Sequence, residues 1–395
     1  MRTQTQEELI NIIRFEICGR PFPQGFAVSD EEALTELAKK HDLAHLVFDA
    51  LTKNGLSCNS QSAMQQYFAA IWRAEQMDHE LKSIAGLFEE EGIDFIPLKG
   101  SVLRPLYPEP WMRTSADIDI LVRPEDLPRA TEQVVEKLGY NYDPDQEKTN
   151  HIGVSAPGSD VQVELHHELF WEHYLGKTIR SIVNNIWNGK NPASNTPYCE
   201  KKPGFTHWYL MSDGMFYFYH IAHMAKHIKL AGGCTVRSLM DLWILDGLGS
   251  REERDRQELL RQGSLTQFGK QMSALASAWM NGEEAPYGEL EQYIMTGSLS
   301  GNNNRMTANL LHDDSVSDYV WKRVFLPYNI LKNAYPVIEK HKWLTPVFQV
   351  VRWTKVFNRK YREKLKTQAD ALVHIDDEQL RRSQEILNIL DIEDI

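Results

Sequence analysis

Two aspartates separated by a single residue lie within an apolar run, ADIDILV (116–122), and no other feature of the chain restricts its fold as strongly. Side chains alternate between the two faces of a strand, so Asp117 and Asp119 point to the same side, about 6.6 Å apart along the chain. Ile118 and Ile120 then point to the core. Because two ionised carboxylates on one face repel each other, the pattern favours a hard divalent cation between them. The alternative is an exposed strand face with solvated carboxylates.

A Lys-Gly-Ser turn lies about 16 residues before the aspartates. The strand-like run IDFIPL (93–98) ends at Lys99, Gly100 and Ser101, and the helix-like segment VLRPLY follows. A turn between a strand and a helix presents backbone N–H groups to an anion, and this turn adds a hydroxyl and an ammonium. It does not match the Walker A pattern. The turn therefore predicts a phosphate-binding site of another kind.

A third carboxylate follows in the strand-like run VQVELHH (161–167). Alternation places Glu164 on the face opposite the valines and the leucine, where it joins the aspartates if the two strands pair. Three such carboxylates can hold two ions about 3.5–4 Å apart, which clamp the attacking and leaving oxygens of a phosphoryl displacement. Of the adjacent histidines, His166 or His167 either orients Glu164 or packs against its neighbours.

The periodicity of the apolar residues divides the chain into three parts. Residues 1–90 and residues 206–395 repeat apolar positions at helical spacing. Residues 91–205 contain the helical pattern PEDLPRATEQVVEKLGY and four short runs rich in β-branched residues, namely IDFIPL, ADIDILV, HIGVSA and VQVELHH. The sequence therefore predicts an α+β unit of about four strands and two helices between an N-terminal helical region and a C-terminal helical domain.

The order of strand, Gly-Ser turn, short helix, Asp-x-Asp strand and later carboxylate strand resembles the DNA polymerase β-like nucleotidyltransferase superfamily. More narrowly, FIPLKGSVL…LYP…R…DIDILV followed by VELHHEL is similar to a bacterial family of uncharacterised nucleotidyltransferases. The resemblance is clear over residues 90–170. It implies a small mixed-sheet nucleotidyltransferase core and Mg²⁺-dependent or Mn²⁺-dependent transfer of a nucleoside monophosphate from a nucleoside triphosphate to an acceptor hydroxyl by a two-metal mechanism.

The resemblance also implies roles for individual residues. Gly100 and Ser101 would hold the nucleotide phosphates, and the catalytic, metal-binding residues would be Asp117, Asp119 and Glu164. The chemistry of the turn adds Lys99 to the phosphate site, and the proposed transfer makes Glu164 the candidate base for the proton of the acceptor hydroxyl. The interval between Ser101 and Asp117 is longer than in the commonest members of the superfamily, and it contains three prolines.

Basic residues outside these strands are further candidates for binding the nucleotide. Arg113 lies four residues before Asp117 and either reaches the triphosphate or pairs with a nearby acid. In the helical run FYFYHIAHMAKHIKL, spacing places His220, His223 and His227 on one face, beside Lys226. Three interpretations remain open for this face: a zinc site, contact of His223 and Lys226 with nucleotide or acceptor, and simple packing.

The following helical run carries Arg237 and Asp241 four residues apart, a spacing that supports a mutual salt bridge. Further along, residues 321–370 contain twelve Lys or Arg, three acids and many aromatics. This segment either makes weak contact with RNA or a membrane surface, or forms amphipathic helices with a solvated basic face.

The net charge, the cysteines and the lack of long apolar segments exclude some classes of function. The net charge of −12 argues against a protein that coats nucleic acid nonspecifically. Four dispersed cysteines, no signal peptide and no long apolar segment predict a cytoplasmic protein with free thiols. The expected partners are a nucleoside triphosphate and an acceptor that is a small molecule, an RNA end or a protein. The alternatives are a catalytically silent nucleotide-binding module of the same fold and a phosphohydrolase that uses the histidines.

Overall fold

The structure, a computed structural model, describes most of the chain between residues 2 and 392. The described residues are 2–142, 150–170, 176–249, 252–297, 337–354 and 377–392, with a few single positions between 325 and 335. The Gly-, Ser- and Asn-rich stretch GSLSGNNNRMTAN (297–309) predicts a loop, and all of it after Gly297 lies outside the described residues, as does more than half of the basic segment 321–370. Contact of that segment with RNA or a membrane therefore stays a prediction.

The first part of the chain is helical, as the periodicity predicts. Its helices are α1 (Gln4–Cys18), α2 (Glu31–Lys40), α3 (Ala44–Lys53) and α4 (Gln61–Glu91). Helix α4 begins after Ser60, whose side chain accepts a hydrogen bond from the Ala63 N–H, and it ends at Gly92 in the left-handed conformation (φ 67°). Gly92 then turns the chain directly into the sheet.

The central sheet is mixed and has five strands in the order β1-β2-β5-β4-β3. Strands β2 and β5 run parallel, and the other neighbours are antiparallel. The four predicted strands are confirmed, whereas β3, a two-residue edge strand, is too short to leave a pattern in the sequence. The strands are β1 (Phe95–Pro97), β2 (Asp117–Val122), β3 (Asn141–Tyr142), β4 (His151–Ser155) and β5 (Gln162–His166).

The proline-rich interval between β1 and β2 is a packed connection. It starts with the short helix α5 (Gly100–Leu103) and continues through 3₁₀ turns at Arg104–Leu106 and Pro110–Met112. Proline favours such turns because its φ is preset and its missing N–H is not required there. Tyr107 and Met112 are buried, so the extra length of this interval is used to pack the chain against the helices.

After helix α6 (Leu127–Leu138) and the strands β4 and β5, the chain returns to helices. The sequence did not predict a small antiparallel pair of strands, β6 (Cys199–Lys201) and β7 (Tyr209–Met211). Next to β7, Trp208 forms a β-bridge with Phe95 of β1. The helices are α7 (Lys177–Asn184), α8 (Asp213–Ala231), α9 (Val236–Gly247), α10 (Glu253–Gln262), α11 (Thr266–Asn281), α12 (Gly288–Met295), α13 (Val337–Lys340), α14 (Thr345–Thr354) and α15 (Asp377–Leu390).

The buried apolar side chains form two clusters on opposite sides of the sheet. One cluster joins the second half of α4 and helix α6 to Ile118, Ile120 and their neighbours in the sheet. The other joins helices α1 to α3 with α8 to α12 and α15, and it includes Ile96 and Leu121. The predicted α+β fold with helical flanks is confirmed, while the domain boundaries at residues 90 and 205 stay predictions. Among the described residues, no helix has the length and apolarity needed to span a membrane.

Candidate active site

The three predicted carboxylates meet where β2 and β5 run side by side. The parallel register places Asp119 opposite Glu164 and Asp117 opposite Gln162. Ile118 is fully buried on the other face, so the alternation expected from the sequence is observed. Carboxylate oxygens of Asp117, Asp119 and Glu164 all lie within 4.8 Å of one another, which is close enough for a shared ion.

Asp119 is the most enclosed of the three carboxylates. Its side chain is 2% exposed and accepts hydrogen bonds from Lys99 Nζ at 3.0 Å and from His166 Nε2 at 2.8 Å. Burial alone would raise its pKa, but the Lys99 charge and the His166 hydrogen bond outweigh burial and hold the pKa below its ordinary value. Asp119 is therefore a permanent negative charge in the wall of the site.

Asp117 has the opposite electrostatic character. Burial and the neighbouring Asp119 charge raise its pKa above the ordinary value, and Lys99 offsets only part of this effect. Burial opposes the charged form of Asp117, and the Asp119 carboxylate beside it adds repulsion between like charges. Asp117 is thus the member of the group that gains most from a bound cation.

Two histidines flank Glu164. His151 Nε2 lies 3.2 Å from Glu164 Oε1, and His166 Nε2 lies 3.3 Å from Glu164 Oε2. Although burial alone would raise the pKa of Glu164, the two histidines lower it below its ordinary value. The interpretation that His166 orients Glu164 agrees with this geometry.

His151 was missed as a site residue. The antiparallel register of β4 and β5 pairs it with His166, so both rings reach the same face of the sheet. Alternation within HIGVSA marks the face of His151 only once this register is known. A histidine at the start of a strand-like run was therefore the only available signal.

The Lys-Gly-Ser turn is tightly built against this group. Lys99 has a positive φ of 41°, an uncommon conformation for a residue with a side chain. A Cβ on Gly100 would lie 2.8 Å from Arg113 Nη1, so only glycine fits there without displacement. Among the described residues, Ser101 Oγ is buried and has no hydrogen-bond partner. The role of this turn in holding phosphate stays a prediction.

Arg113 forms an ion pair with an acidic residue, as one of the two interpretations of the sequence predicts. Its Nε and Nη2 donate to the two carboxylate oxygens of Asp241 at 3.0 and 2.9 Å, and Tyr107 donates to the same carboxylate at 2.6 Å. This pairing satisfies Arg113 within the protein. Its predicted contact with the triphosphate is untested, and Arg113 does line the cleft described below.

The predicted salt bridge between Arg237 and Asp241 is wrong. Both oxygens of Asp241 bind Arg113, and Arg237 instead donates to Asp42 Oδ2 at 2.9 Å and to the Thr114 carbonyl at 2.8 Å. The i,i+4 spacing permits this contact. Both side chains instead pair with residues distant in the chain, and the sequence could not reveal those partners.

Helix α8 brings its basic face to the same site. The Nε2 atoms of His223 and His227 lie 3.3 Å apart, and burial, together with nearby positive charges, lowers the pKa of both; that of His227 falls to about 4. Burial and Lys99 lower the pKa of Lys226 to about 8. Among the described residues, no group of three or more potential ligands close enough to share a metal ion includes a histidine of α8, so a zinc site built from His220, His223 and His227 is not supported.

These elements enclose a cleft of about 670 Å³. Helix α4, the Lys-Gly-Ser turn, β2, α8 and α9 all contribute to its walls. Two predicted site residues, Ser101 and Glu164, lie outside the lining. The predicted residues that line the cleft are Lys99, Gly100, Arg113, Asp117, Asp119, His223 and Lys226.

Comparison with known proteins identifies one relationship. The model of a family described as uncharacterised nucleotidyltransferase matches residues 28–281 of this chain. The match covers more than half of the chain, from helix α2 through α11, and so includes the whole carboxylate group and the cleft. No curated protein and no solved structure matches the chain.

Proposed function

Because the chain belongs to this family of uncharacterised nucleotidyltransferases, we propose that it transfers a nucleoside monophosphate from a nucleoside triphosphate to an acceptor hydroxyl. We further propose that Mg²⁺ or Mn²⁺ supports the reaction, in the manner of DNA polymerase β-like enzymes with two metal ions. The observation that carries the proposal is the convergence of Asp117, Asp119 and Glu164 beside the Lys99 turn at a cleft of about 670 Å³.

The carboxylate group fits a hard divalent cation. All its donors are oxygens, which Mg²⁺ and Mn²⁺ prefer, and the three residues lie within 4.8 Å of one another. Burial and the neighbouring Asp119 charge raise the pKa of Asp117, and a cation beside the pair would favour its ionised form. When bound, the metal would neutralise the carboxylates and stabilise negative charge on the transferred phosphoryl group. Lys99 and His166 balance the Asp119 charge within the protein itself.

In the proposed reaction, the acceptor oxygen forms a bond to the α-phosphorus. The bond from the α-phosphorus to the oxygen that bridges to the β-phosphate breaks, and pyrophosphate leaves. Lys99 and Lys226, which both line the cleft, would bind the triphosphate and hold the α-phosphorus facing the carboxylates. Their positive charge would also favour departure of the pyrophosphate.

The acceptor proton needs a base. We propose that one carboxylate of the group accepts the proton, directly or through water; Glu164 is the residue expected from the sequence.

The experiment is a search for transfer with α-phosphate-labelled nucleoside triphosphates, Mg²⁺ or Mn²⁺, and fractions of a cell extract. A labelled acceptor should form with wild-type protein and be absent with the Asp117→Asn/Asp119→Asn double variant. The matched control is Asp160→Asn, which removes an exposed aspartate just before β5. Binding of triphosphate without transfer in every fraction would favour the catalytically silent module.

The same experiment addresses the phosphohydrolase. Release of inorganic phosphate or nucleoside monophosphate with water as the acceptor, lost in His223→Gln as fully as in the aspartate variant, would replace the proposed transfer with hydrolysis. Retention of transfer in His223→Gln would leave that histidine with a binding or packing role.

A further inference from the structure

Glu164 belongs to two different groups of potential metal ligands. One is the carboxylate group with Asp117 and Asp119, and the other consists of His151, Glu164 and His166. We propose that the second group is a separate binding site for a first-row transition metal ion such as Zn²⁺ or Co²⁺. This site differs in chemistry from the Mg²⁺ or Mn²⁺ site of the proposed function.

The distances between donor atoms suit four-coordinate geometry. Metal–nitrogen and metal–oxygen bonds of about 2.0–2.2 Å place the ligands of a tetrahedral site about 3.3–3.6 Å apart. Here His151 Nε2 and Glu164 Oε1 are 3.2 Å apart, and His166 Nε2 and Glu164 Oε2 are 3.3 Å apart.

The strand register explains why these groups meet. His151 pairs with His166 across β4 and β5, which places the ring centroids 4.8 Å apart. Glu164 lies two residues before His166 and so shares its face. The resulting arrangement rests on paired backbone strands, which restricts how far the donors can move.

The donor types select the ion. Imidazole nitrogen suits Zn²⁺ and other transition metals, whereas Mg²⁺ prefers oxygen ligands and keeps part of its water. Two nitrogens with one carboxylate therefore discriminate against Mg²⁺. The all-oxygen group next to it has the reverse preference, so the two sites would take different ions from the same solution.

Burial also favours a ligand role. His151 and His166 are 6% and 5% exposed, and their Nε2 atoms point at carboxylates. Among the described residues, neither Nδ1 has a hydrogen-bond partner. A partner at Nδ1 usually strengthens a metal-bound histidine, so we expect the affinity to be lower than in sites with that support.

The test is titration of metal-free protein with Co²⁺ in excess Mg²⁺, followed by visible absorption. We expect the intense bands typical of four-coordinate Co²⁺, their displacement by Zn²⁺, and a stoichiometry of one ion per chain. The affinity should fall at least about tenfold in His151→Gln and in His166→Gln. His167→Gln is the matched control, because His167 follows His166 and belongs to neither ligand group.

A second measurement does not depend on the variants folding. Pulsed electron paramagnetic resonance of wild-type protein loaded with Cu²⁺ detects nitrogen coupling from two imidazoles if the site exists. Weak, six-coordinate Co²⁺ bands, equal Co²⁺ affinity in His151→Gln and wild type, or the absence of imidazole coupling would each overturn the inference.

The second site shares Glu164 with the proposed function but can fail separately from it. Asp117→Asn should keep the cobalt bands while losing nucleotidyl transfer. If transfer occurs with Mg²⁺ and no imidazole binds Co²⁺, only the second site is wrong. If Co²⁺ binds through two imidazoles and no transfer is found, the second site stands and the proposed function fails.

Discussion

Arg113 and Asp241 form a two-point ion pair in the protein interior, although 128 positions separate them in the chain. Their side chains are 8% and 3% exposed, and Tyr107 donates a further hydrogen bond to Asp241. The pair ties the proline-rich interval before β2 to helix α9. It therefore fixes two walls of the cleft relative to each other.

Asp241→Asn should lower the free energy of unfolding by about 3–5 kcal/mol, because it leaves the buried Arg113 charge without its counter-ion. Urea unfolding measures the effect. The control is Asp78→Asn, which breaks the exposed pair with Lys82 and should cost less than about 1 kcal/mol. Similar losses in the two variants would show that the Arg113 pair does not stabilise the fold.

Gly100→Ala should destabilise the protein by about 1–3 kcal/mol and weaken triphosphate binding. The new methyl group would lie 2.8 Å from Arg113 Nη1, and the bonds to Asp241 keep that guanidinium from moving away. Gly86→Ala, within α4 near its C-terminal end, is the matched control, since a Cβ there meets nothing within 4 Å. It should stabilise the protein by about 0.5–1 kcal/mol. A neutral Gly100→Ala variant would contradict the tight packing of the turn.

The first strands and their carboxylates could be predicted because each strand carries its own alternation. Asp117 and Asp119 sit in a run whose isoleucines show the buried face, and Glu164 follows the same rule. The prediction that Glu164 joins the aspartates required β2 and β5 to pair, and the structure shows that they pair in parallel. The face on which each side chain of a single strand lies could therefore be predicted from the sequence.

Contacts between elements that are far apart in the chain could not be predicted from the sequence. His151 joins the site through the register of β4 against β5, and Arg237 pairs with Asp42, which lies 195 positions earlier. A helical spacing rule favoured Asp241 as the partner of Arg237. Tertiary contacts override such local preferences whenever a buried charge finds better geometry elsewhere.

Glu16 should make the protein less stable as the pH rises. Burial and the nearby Asp49 charge raise the pKa of Glu16 to about 8, despite Lys53 3.5 Å away. Between the ordinary pKa of 4.5 and about 8, the folded state holds a proton that the unfolded state has lost. The free energy of unfolding should therefore fall by about 1 kcal/mol per pH unit in this window and level off above it.

Glu16→Gln tests this assignment, because glutamine stays neutral at every pH. Urea unfolding at pH 5 and at pH 8.5 should show a smaller pH dependence in this variant than in wild type. Glu36→Gln, on the exposed surface of α2, controls for the loss of one acidic residue. An unchanged pH dependence in Glu16→Gln would assign the effect to other groups.

Lys226 should make triphosphate binding depend on pH. Burial and the Lys99 charge lower its pKa to about 8, so the free protein loses this positive charge as the pH rises through that value. If binding requires the charged form, the dissociation constant for the Mg²⁺–triphosphate complex should increase about tenfold between pH 7 and pH 9. Isothermal titration calorimetry measures it. Lys226→Arg keeps its positive charge, so its dissociation constant should change little between pH 7 and pH 9. A dissociation constant that is independent of pH in the wild-type protein would exclude Lys226 from the phosphate site.

The most direct test of the central claim is the rate of pyrophosphate release with Mg²⁺, a nucleoside triphosphate and an acceptor-containing fraction. Wild-type protein should release pyrophosphate together with label transfer, and Asp119→Asn should reduce the rate by at least about 100-fold. Asp160→Asn, which changes an exposed aspartate just before the neighbouring strand β5, should match wild type. Equal rates in Asp119→Asn and wild type would show that the carboxylate group is not the catalytic centre.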